Sequence, residues 1–153
     1  ICRYIDMPIQ HINNTMLKSM RRATTKEDII STITKLRKEM PDMVIRTSLI
    51  VGFPGETEEQ FDELASFIQE HPLDNIGVFQ FSREPGSHAY DLPDQIDASV
   101  KKKRYDKLMK LQKKVLNKLN KKWIGKTSST TAAPSAPSAN VTLWRSPTLL
   151  TMT

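Results

Sequence analysis

One stretch of the sequence, Val44–Thr57, constrains the fold more than any other. Its first eight residues are mostly β-branched and apolar, which predicts a buried strand. The Gly52–Glu56 segment holds two glycines and a proline, so it predicts a turn where backbone can approach a ligand closely. Thr57 and Gln60 have the spacing of a capping box, which predicts a helix beginning at the next residue. The stretch therefore encodes a strand, a turn and a helix in direct succession.

The same unit recurs along the chain. Strands are predicted at Arg3–Pro8, Met43–Val51 and Asn75–Ser82, and helical patterns separate them. Strands that alternate with helices favour right-handed crossovers and a parallel sheet, so the fold class is α/β. Three parallel strands leave open edges, which suggests half of a larger domain.

The helices carry recognisable start and stop signals. Asn13 or Asn14 predicts one helix start, and Thr24 with Glu27 predicts a capping box for the next. Asp97 or Ser99 is expected to cap a long final helix. The residues predicted to bury the second helix are Ile29, Ile33, Leu36 and Met40. Those predicted for the third helix are Phe61, Leu64, Ala65 and Ile68. Those predicted for the final helix are Leu108, Leu111, Val115, Leu119 and Trp123, with Gly125 as its C-cap.

Charge is unevenly distributed over the 153 residues. Residues 1–96 hold 10 Lys and Arg against 15 Asp and Glu, whereas residues 97–124 hold 11 against 2. An acidic body thus carries one basic helix, and only that helix supports an argument for an anionic partner. No apolar run is long enough to span a membrane. The single cysteine, Cys2, excludes a disulfide framework and a thiolate metal site from this chain alone.

Composition divides the chain into three parts. We expect residues 1–96 to form half of a barrel, residues 97–126 a basic amphipathic linker helix, and residues 127–153 a low-complexity tail. Ser, Thr, Ala and Pro dominate 127–140, which predicts disorder there. A chain that opens on a non-methionine residue just before a strand also suggests a fragment.

Three motifs together resemble the radical S-adenosylmethionine methylthiotransferases. They are Tyr-Ile-Asp-Met-Pro-Ile-Gln-His at 4–11, Leu-Lys-Ser-Met-Arg-Arg at 17–22, and Arg-Thr-Ser-Leu-Ile-Val-Gly-Phe-Pro-Gly-Glu-Thr at 46–57. The resemblance runs from about residue 3 to 127. It implies the C-terminal half of a partial (β/α)6 TIM-like barrel. It also implies a small β-barrel domain after residue 127, which the tail does not match.

Two subfamilies compete within that family. Strings at 73–84 and Leu-Pro-Asp-Gln at 92–95 resemble enzymes that modify an aspartate of a small-subunit ribosomal protein. Glu84-Pro85-Gly86 lies between that pattern and the Arg-Pro-Gly string of the transfer-RNA adenosine enzymes. The first subfamily is preferred, and the second remains the alternative.

The resemblance implies two cofactors, S-adenosylmethionine and a four-iron four-sulfur cluster. A reduced cluster would cleave S-adenosylmethionine to a 5′-deoxyadenosyl radical, which would abstract hydrogen from the aspartate β-carbon before methylthiolation. The cluster cysteines of the family have no counterpart here, so no metal ligand and no catalytic residue are assigned, and this piece alone is expected to be inactive. We expect a cytoplasmic parent enzyme.

Cofactor-binding residues follow from the resemblance and from strand alternation. Gln10 is expected to hydrogen-bond the ribose or amino-acid part of the cofactor, unless it only caps a helix. Arg46 and Ser48 are predicted to face inward, where Arg46 would hold the cofactor carboxylate or pair with Asp6. The remaining candidates are Gly52, Phe53, Gly55 and Glu56 near the adenine, and Phe81 and Ser82 at the end of the last strand.

Three partner hypotheses remain open. The preferred partner is a ribosomal small-subunit protein as substrate. Ribosomal RNA could also contact Lys101, Lys102, Lys103 and Arg104 on the basic helix, although a solvated face around an apolar stripe explains them equally well. From another class, the chain could be a non-catalytic RNA- or ribosome-binding module. No membrane partner is expected.

Overall fold

A computed structural model describes residues 3–121 of the chain. Within that range, helices separate three strands and a fourth α-helix follows the last strand, with a short 3-10 helix before it. Their bounds are β1 Tyr4–Asp6, α1 Asn14–Ser19, α2 Lys26–Glu39, β2 Val44–Val51, α3 Glu58–Glu70, β3 Asn75–Gln80, the 3-10 helix His88–Tyr90, and α4 Ala98–Asn120.

The strands form one parallel sheet in the order β1-β2-β3. Between β1 and β2, Tyr4 pairs with Val44; between β2 and β3, Leu49 pairs with Val78. The parallel α/β architecture predicted from the alternation of strands and helices is confirmed. Parallel strands align their carboxyl ends, so the loops after β1, β2 and β3 meet along one side of the sheet.

Strand β2 runs through the middle of the sheet, and its two faces differ as alternation predicts. Ile45, Thr47, Leu49 and Val51 are buried, whereas Arg46, Ser48 and Ile50 are half-buried. The buried face packs against the helices and joins the hydrophobic core of the described residues.

Strand β1 is interrupted by Pro8 and resumes pairing at Gln10, which bridges to Leu49. The buried hydroxyl of Thr47 fills the gap, because it donates to the carbonyl of Met7 at 2.7 Å and accepts from the amide of Ile9 at 3.4 Å. Since proline has no amide hydrogen to give the ladder, Thr47 satisfies backbone groups that Pro8 leaves unpaired. The break turns the chain toward the carboxyl end of the sheet.

Helix starts follow the capping signals, with one correction at α2 and one weaker cap at α4, where Asp97 is the N-cap but its side chain accepts no capping hydrogen bond. Asn13 caps α1, and Thr57 with Gln60 forms the predicted capping box of α3. The box of α2 is formed by Thr25 and Asp28, not by Thr24 and Glu27. The wrong prediction was one residue early because two threonines and two acidic residues in succession satisfy the same spacing twice.

Most described residues of the predicted apolar stripes are buried, whereas Leu36, Leu111 and Leu119 are only partly buried. Met40 is 39% exposed, because it lies beyond the last turn of α2 as the C-cap. Phe67, which the stripe of α3 did not include, is buried. Leu108 and Val115 bury α4 against the core, and that helix contacts both α3 and β3. Predictions for Cys2, Trp123, Gly125 and 127–153 lie outside the described residues, and the proposed domain division stays a prediction.

Candidate functional site

A cleft of about 370 Å³ opens at the carboxyl end of the sheet. Three of the predicted cofactor residues, Gln10, Phe53 and Phe81, line it together with Ile50. They come from three separate segments of sequence, and the parallel sheet brings them together because each follows or ends a strand. This is the position where parallel α/β folds bind ligands.

Phe53 and Phe81 form an aromatic wall of the cleft. Their ring centroids are 5.1 Å apart and the planes meet at 67°, an edge-to-face arrangement. The ammonium of Lys101, from α4, lies 5.1 Å from the Phe81 ring and donates to the Phe81 carbonyl at 3.1 Å. The wall is therefore fixed from behind by the final helix.

Gln10 enters the cleft in an unusual backbone conformation. Its φ is 68°, in the left-handed region that non-glycine residues seldom adopt. Its amide donates to the Ser48 carbonyl at 2.9 Å, and its carbonyl accepts from the Ile50 amide at 2.8 Å. The side-chain amide reaches the Ser48 hydroxyl at 3.5 Å. Ser48 thus lies beneath the cleft and supports Gln10 instead of lining the cleft itself.

Arg46 lies deeper along β2, at the end of the strand remote from the cleft. Its guanidinium is hydrogen-bonded to the Asp6 carboxylate on the neighbouring strand. That hydrogen bond, and then the charge of Asp6, raises the pKa of Arg46 above its ordinary value. Of the two roles considered for Arg46, the structure shows the ion pair with Asp6; a contact with a cofactor carboxylate stays a prediction.

Glu56 faces the protein interior, where its fully buried side chain binds three groups. Oε1 is 3.1 Å from His11 Nε2, while Oε2 accepts from the Gly52 amide at 2.7 Å and from Arg104 Nη1 at 2.6 Å. The Asn13 amide donates to His11 Nδ1, so the hydrogen of the ring must lie on Nε2, which donates to Glu56. We call His11, Glu56 and Arg104 the buried network.

The buried network ties the turn after β2 to helix α4. Arg104 also donates to the Glu56 carbonyl at 3.1 Å, and its other terminal nitrogen lies 3.1 Å from the exposed Glu58 carboxylate. The network was missed from sequence, where Glu56 was expected beside the cofactor and Arg104 on an exposed face. A buried arginine in a lysine-rich helix has no periodic signature of its own, so only the acidic Glu56 could have hinted at it.

The two glycines of the turn have different surroundings. Both adopt positive φ, 75° at Gly52 and 78° at Gly55. A Cβ on Gly52 would lie 2.3 Å from the side-chain Cγ of Lys101, whereas a Cβ on Gly55 would meet nothing within 4 Å. The amide of Gly52 is already bonded to Glu56, so this glycine makes room for α4. Neither glycine lines the cleft.

Ser82 lies just past β3, outside the cleft lining. Its exposed hydroxyl donates to the Glu84 carboxylate at 2.6 Å. Strand β3 ends at Gln80, two residues before the predicted end. The loop that follows nevertheless returns to the cleft, because Ser87, His88 and Ala89 form part of its rim.

The cleft also contains residues that sequence reasoning did not assign to the cofactor. The connector after α1 contributes Ser19, Met20, Arg21 and Arg22. The Arg-Arg pair was read only as part of a family motif. No sequence signal placed the pair there, because the connector after a helix in a parallel α/β unit ordinarily lies at the amino ends of the strands.

The basic patch predicted on α4 requires a correction. Arg104 is buried in the network, and Lys101 packs against Gly52 and Phe81, so only Lys102 and Lys103 of the four predicted residues are exposed. A different set of lysines forms the exposed basic stripe of the helix. It comprises Lys103, Lys107, Lys110, Lys114, Lys118 and Lys121.

The described residues fit one of the two implied cofactors. A cleft with an aromatic wall, the Gln10 amide and two arginines offers stacking and hydrogen-bond donors suited to a nucleoside with an amino-acid tail. For the cluster there is no fit, because residues 3–121 hold no group of three His, Cys, Asp or Glu that could bind a metal. Within the same range, no helix is long and apolar enough to cross a membrane.

Comparison with known proteins gives a consistent result. A profile of the radical SAM superfamily matches residues 1–68. The chain is 69% identical over 126 residues to "Ribosomal protein uS12 methylthiotransferase RimO" of Protochlamydia amoebophila, covering 82% of this chain and 26% of that protein. Proteins of the same name from Clostridium perfringens and Chlamydia abortus are each 54% identical, over 82% and 80% of the chain and 28% and 27% of their own lengths. The chain thus spans about a quarter of the curated relatives it matches.

Proposed function

We propose, from the premise that this chain belongs to the radical S-adenosylmethionine methylthiotransferase family, that it supplies the S-adenosylmethionine cleft of an enzyme that methylthiolates a ribosomal protein. The convergence of Gln10, Phe53 and Phe81 on one cleft is the observation that carries the proposal. The target would be the β-carbon of an aspartate in uS12, the ribosomal protein that appears in the names of the relatives. We place the enzyme in the cytoplasm with its ribosomal substrate.

The residues of this chain would bind and orient the cofactor. The Phe53–Phe81 wall presents ring edges and faces to an adenine, while Ile50 adds apolar surface beneath it. The Gln10 side-chain amide can donate to a ribose or amino-acid oxygen. Cofactor and cluster together would supply the radical chemistry that activates an unreactive carbon. Residues outside the described part would have to hold the cluster.

Ligand titration tests the cleft without requiring the cluster. The full chain should bind S-adenosylhomocysteine in calorimetry, and Phe81→Ala should weaken that binding about tenfold through lost aromatic contact. Phe67→Leu, a change of a core aromatic away from the cleft, is the matched control and should retain the affinity. Equal affinity of Phe81→Ala and the unaltered chain would contradict the proposed cleft.

The substrate requires the longer enzyme with its cluster. Incubated with uS12 and with transfer RNA, that enzyme should add a methylthio group to the protein, observed as a mass increase on one aspartate. Modification of transfer-RNA adenosine instead would favour the alternative subfamily. Either result identifies the substrate only. The cleft assignment is tested separately by the S-adenosylhomocysteine titration.

A contact with ribosomal RNA is supported by the lysine stripe on α4. The stripe runs from Lys103 to Lys121, about 27 Å at 1.5 Å per residue. Within residues 3–121, only Lys107 of its members pairs with a carboxylate, that of Asp62. A row of exposed cations, most of them unpaired within that range, can neutralise several phosphates along a nucleic-acid backbone.

Salt dependence tests the RNA contact. Changing Lys103, Lys110 and Lys114 to Gln should lower affinity for a ribosomal RNA fragment and reduce the salt slope by about two to three. Changing Lys18, Lys35 and Lys38 to Gln removes the same charge from exposed sites elsewhere and serves as control. Equal losses in the two triple variants would indicate only general charge attraction.

A further inference from the structure

Arg21 occupies a backbone position that normally belongs to glycine. Helix α1 ends with a pair of reversed hydrogen bonds, from the Arg21 amide to the Lys18 carbonyl at 3.0 Å and from the Arg22 amide to the Leu17 carbonyl at 2.8 Å. This is the Schellman arrangement, in which the residue at the position of Arg21 is usually glycine because it must be left-handed. Arg21 has a φ of 56°. A side chain therefore stands at this position at a steric cost to the backbone.

The strain is concentrated at the cleft. Three described non-glycine residues have positive φ, namely Gln10, Arg21 and Asp94, and the first two line the same cleft. Strained backbone of this kind clusters at ligand sites, where a side chain must be held in one place.

Arg21 and Arg22 are the arginines without a partner in the described chain. Within residues 3–121, the other arginine side chains each bond a carboxylate or a carbonyl. Neither Arg21 nor Arg22 has a side-chain hydrogen bond or an ion pair in that range. The cleft lining that contains them includes His88 but no Asp or Glu. The cleft is thus positively charged and offers guanidinium donors that nothing on this part of the chain satisfies.

We propose that Arg21 is held in its left-handed conformation to bind a carboxylate inside the cleft. A guanidinium fork matches the two oxygens of a carboxylate, and the exposed Arg21 lines the same cleft as Gln10 and the aromatic wall. The proposal rests on the proposed function, which offers two sources of that carboxylate. One is the amino-acid end of the cofactor, and the other is the side chain of the substrate aspartate.

The first experiment separates binding from structure through Arg21→Gly. Glycine relieves the backbone strain, so the thermal unfolding midpoint of the full chain should rise by about 2–4 °C. If Arg21 holds a carboxylate, the same change should weaken ligand binding about tenfold or more. Arg21→Lys keeps the charge but loses the fork, so its ligand affinity should lie between that of Arg21→Gly and that of the unaltered chain. A fall in the unfolding midpoint of Arg21→Gly would show a structural role and overturn the proposal.

The second experiment identifies the source of the carboxylate by calorimetry. If it comes from the cofactor, Arg21→Gly should lose affinity for S-adenosylhomocysteine but not for 5′-methylthioadenosine, which lacks the carboxylate. If it comes from the substrate, the loss should appear with a uS12 peptide carrying the target aspartate and not with the same peptide carrying asparagine.

Lys18→Gln is the control for general charge, because Lys18 is an exposed cation of α1 outside the cleft. It should leave both affinities within about twofold of the unaltered chain. Unchanged binding of every carboxylate ligand by Arg21→Gly would overturn the proposal while the proposed cleft stands. If the unaltered chain binds neither nucleoside, the proposed function and this inference both fall.

Discussion

The turn after β2 separates two regions with opposite electrostatic character. On its inner side, the buried network matches each charge, since the Glu56 carboxylate receives hydrogen bonds from His11, Gly52 and Arg104. On its outer side, the cleft holds Arg21 and Arg22 without a carboxylate partner among residues 3–121. Matched charges stabilise a conformation, whereas unmatched ones at a cleft are available to a ligand.

The difference shows how a short turn can be both rigid and open. The network holds the turn from behind through α4, so the cleft residues need few bonds among themselves. Variants on the two sides should therefore behave differently: network changes should lower stability, and cleft changes should lower ligand binding.

The largest effect is expected from Glu56→Gln. It leaves the buried Arg104 guanidinium with only the exposed Glu58 carboxylate as a charged partner, so the free energy of unfolding should fall by about 3–5 kcal/mol in urea titrations. Glu58→Gln removes the other partner of the same arginine, but that carboxylate is 62% exposed and should cost less than about 1 kcal/mol. Similar losses in the two variants would show that the network does not fix the turn.

Gly52→Ala should follow in size. The added methyl group would overlap the Lys101 side chain, and alanine would have to adopt a positive φ. We therefore expect the free energy of unfolding to fall by about 2–3 kcal/mol. Gly55→Ala shares the positive φ but has open space, and should lose only about 1 kcal/mol. Adding Lys101→Ala to Gly52→Ala should recover part of the loss. If the double variant recovers no stability, the effect of Gly52 does not come from its contact with Lys101 of α4.

A local change on α2 is expected to be smaller. Thr25→Ala removes the capping box and should lower the free energy of unfolding by about 1 kcal/mol, whereas Thr24→Ala should have little effect. Hydrogen bonds from the backbone and then the side chain of Thr25 lower the pKa of Asp28 below its ordinary 3.8. Folding thus favours the ionised form of Asp28, and the stability that this carboxylate contributes is fully present above pH 3.8.

Acid should then remove part of the difference between Thr25→Ala and the unaltered chain. As the pH falls through the lowered pKa of Asp28, the folded helix loses the ionised partner of the cap. Thermal unfolding at pH 7 and near pH 3 would show the difference shrinking. A difference that grows with acid would mean that Asp28 acts in its neutral form.

The smallest effect is expected from Arg46→Gln. Because Arg46 is paired with Asp6 away from the cleft, the affinity for S-adenosylhomocysteine should remain within about twofold of the unaltered chain. A tenfold loss would instead favour the sequence prediction that Arg46 holds the cofactor carboxylate. This measurement and Arg21→Gly together decide which arginine binds the ligand.

Sequence reasoning predicted the elements better than the side-chain partners. The strand, turn and helix of 44–70 follow from local patterns, namely alternation, glycine placement and the Thr57 cap, and the structure agrees with them. The cleft assignment of Gln10, Phe53 and Phe81 followed from strand ends, which topology brings together. These features depend on neighbours in sequence or on the rule that parallel strands share a direction.

The remaining partners depend on contacts between distant segments. Glu56 and Arg104 are 48 residues apart, and neither residue type in its local pattern indicates that both are buried. The choice between Thr24 and Thr25 could not be made because both spacings satisfy the box. Arg21 was missed because only its dihedral angle, which no periodicity encodes, distinguishes it from an ordinary connector residue.

The contact between Gly52 and Lys101 has a consequence for reading related genomes. Any residue larger than glycine at 52 would collide with the final helix whether or not a nucleoside is ever bound. A descendant that had lost all catalysis would therefore still retain Gly52 as long as it kept this helix in place. This glycine is thus a marker of architecture, and evidence of activity should be sought in the cleft residues, Phe53 among them.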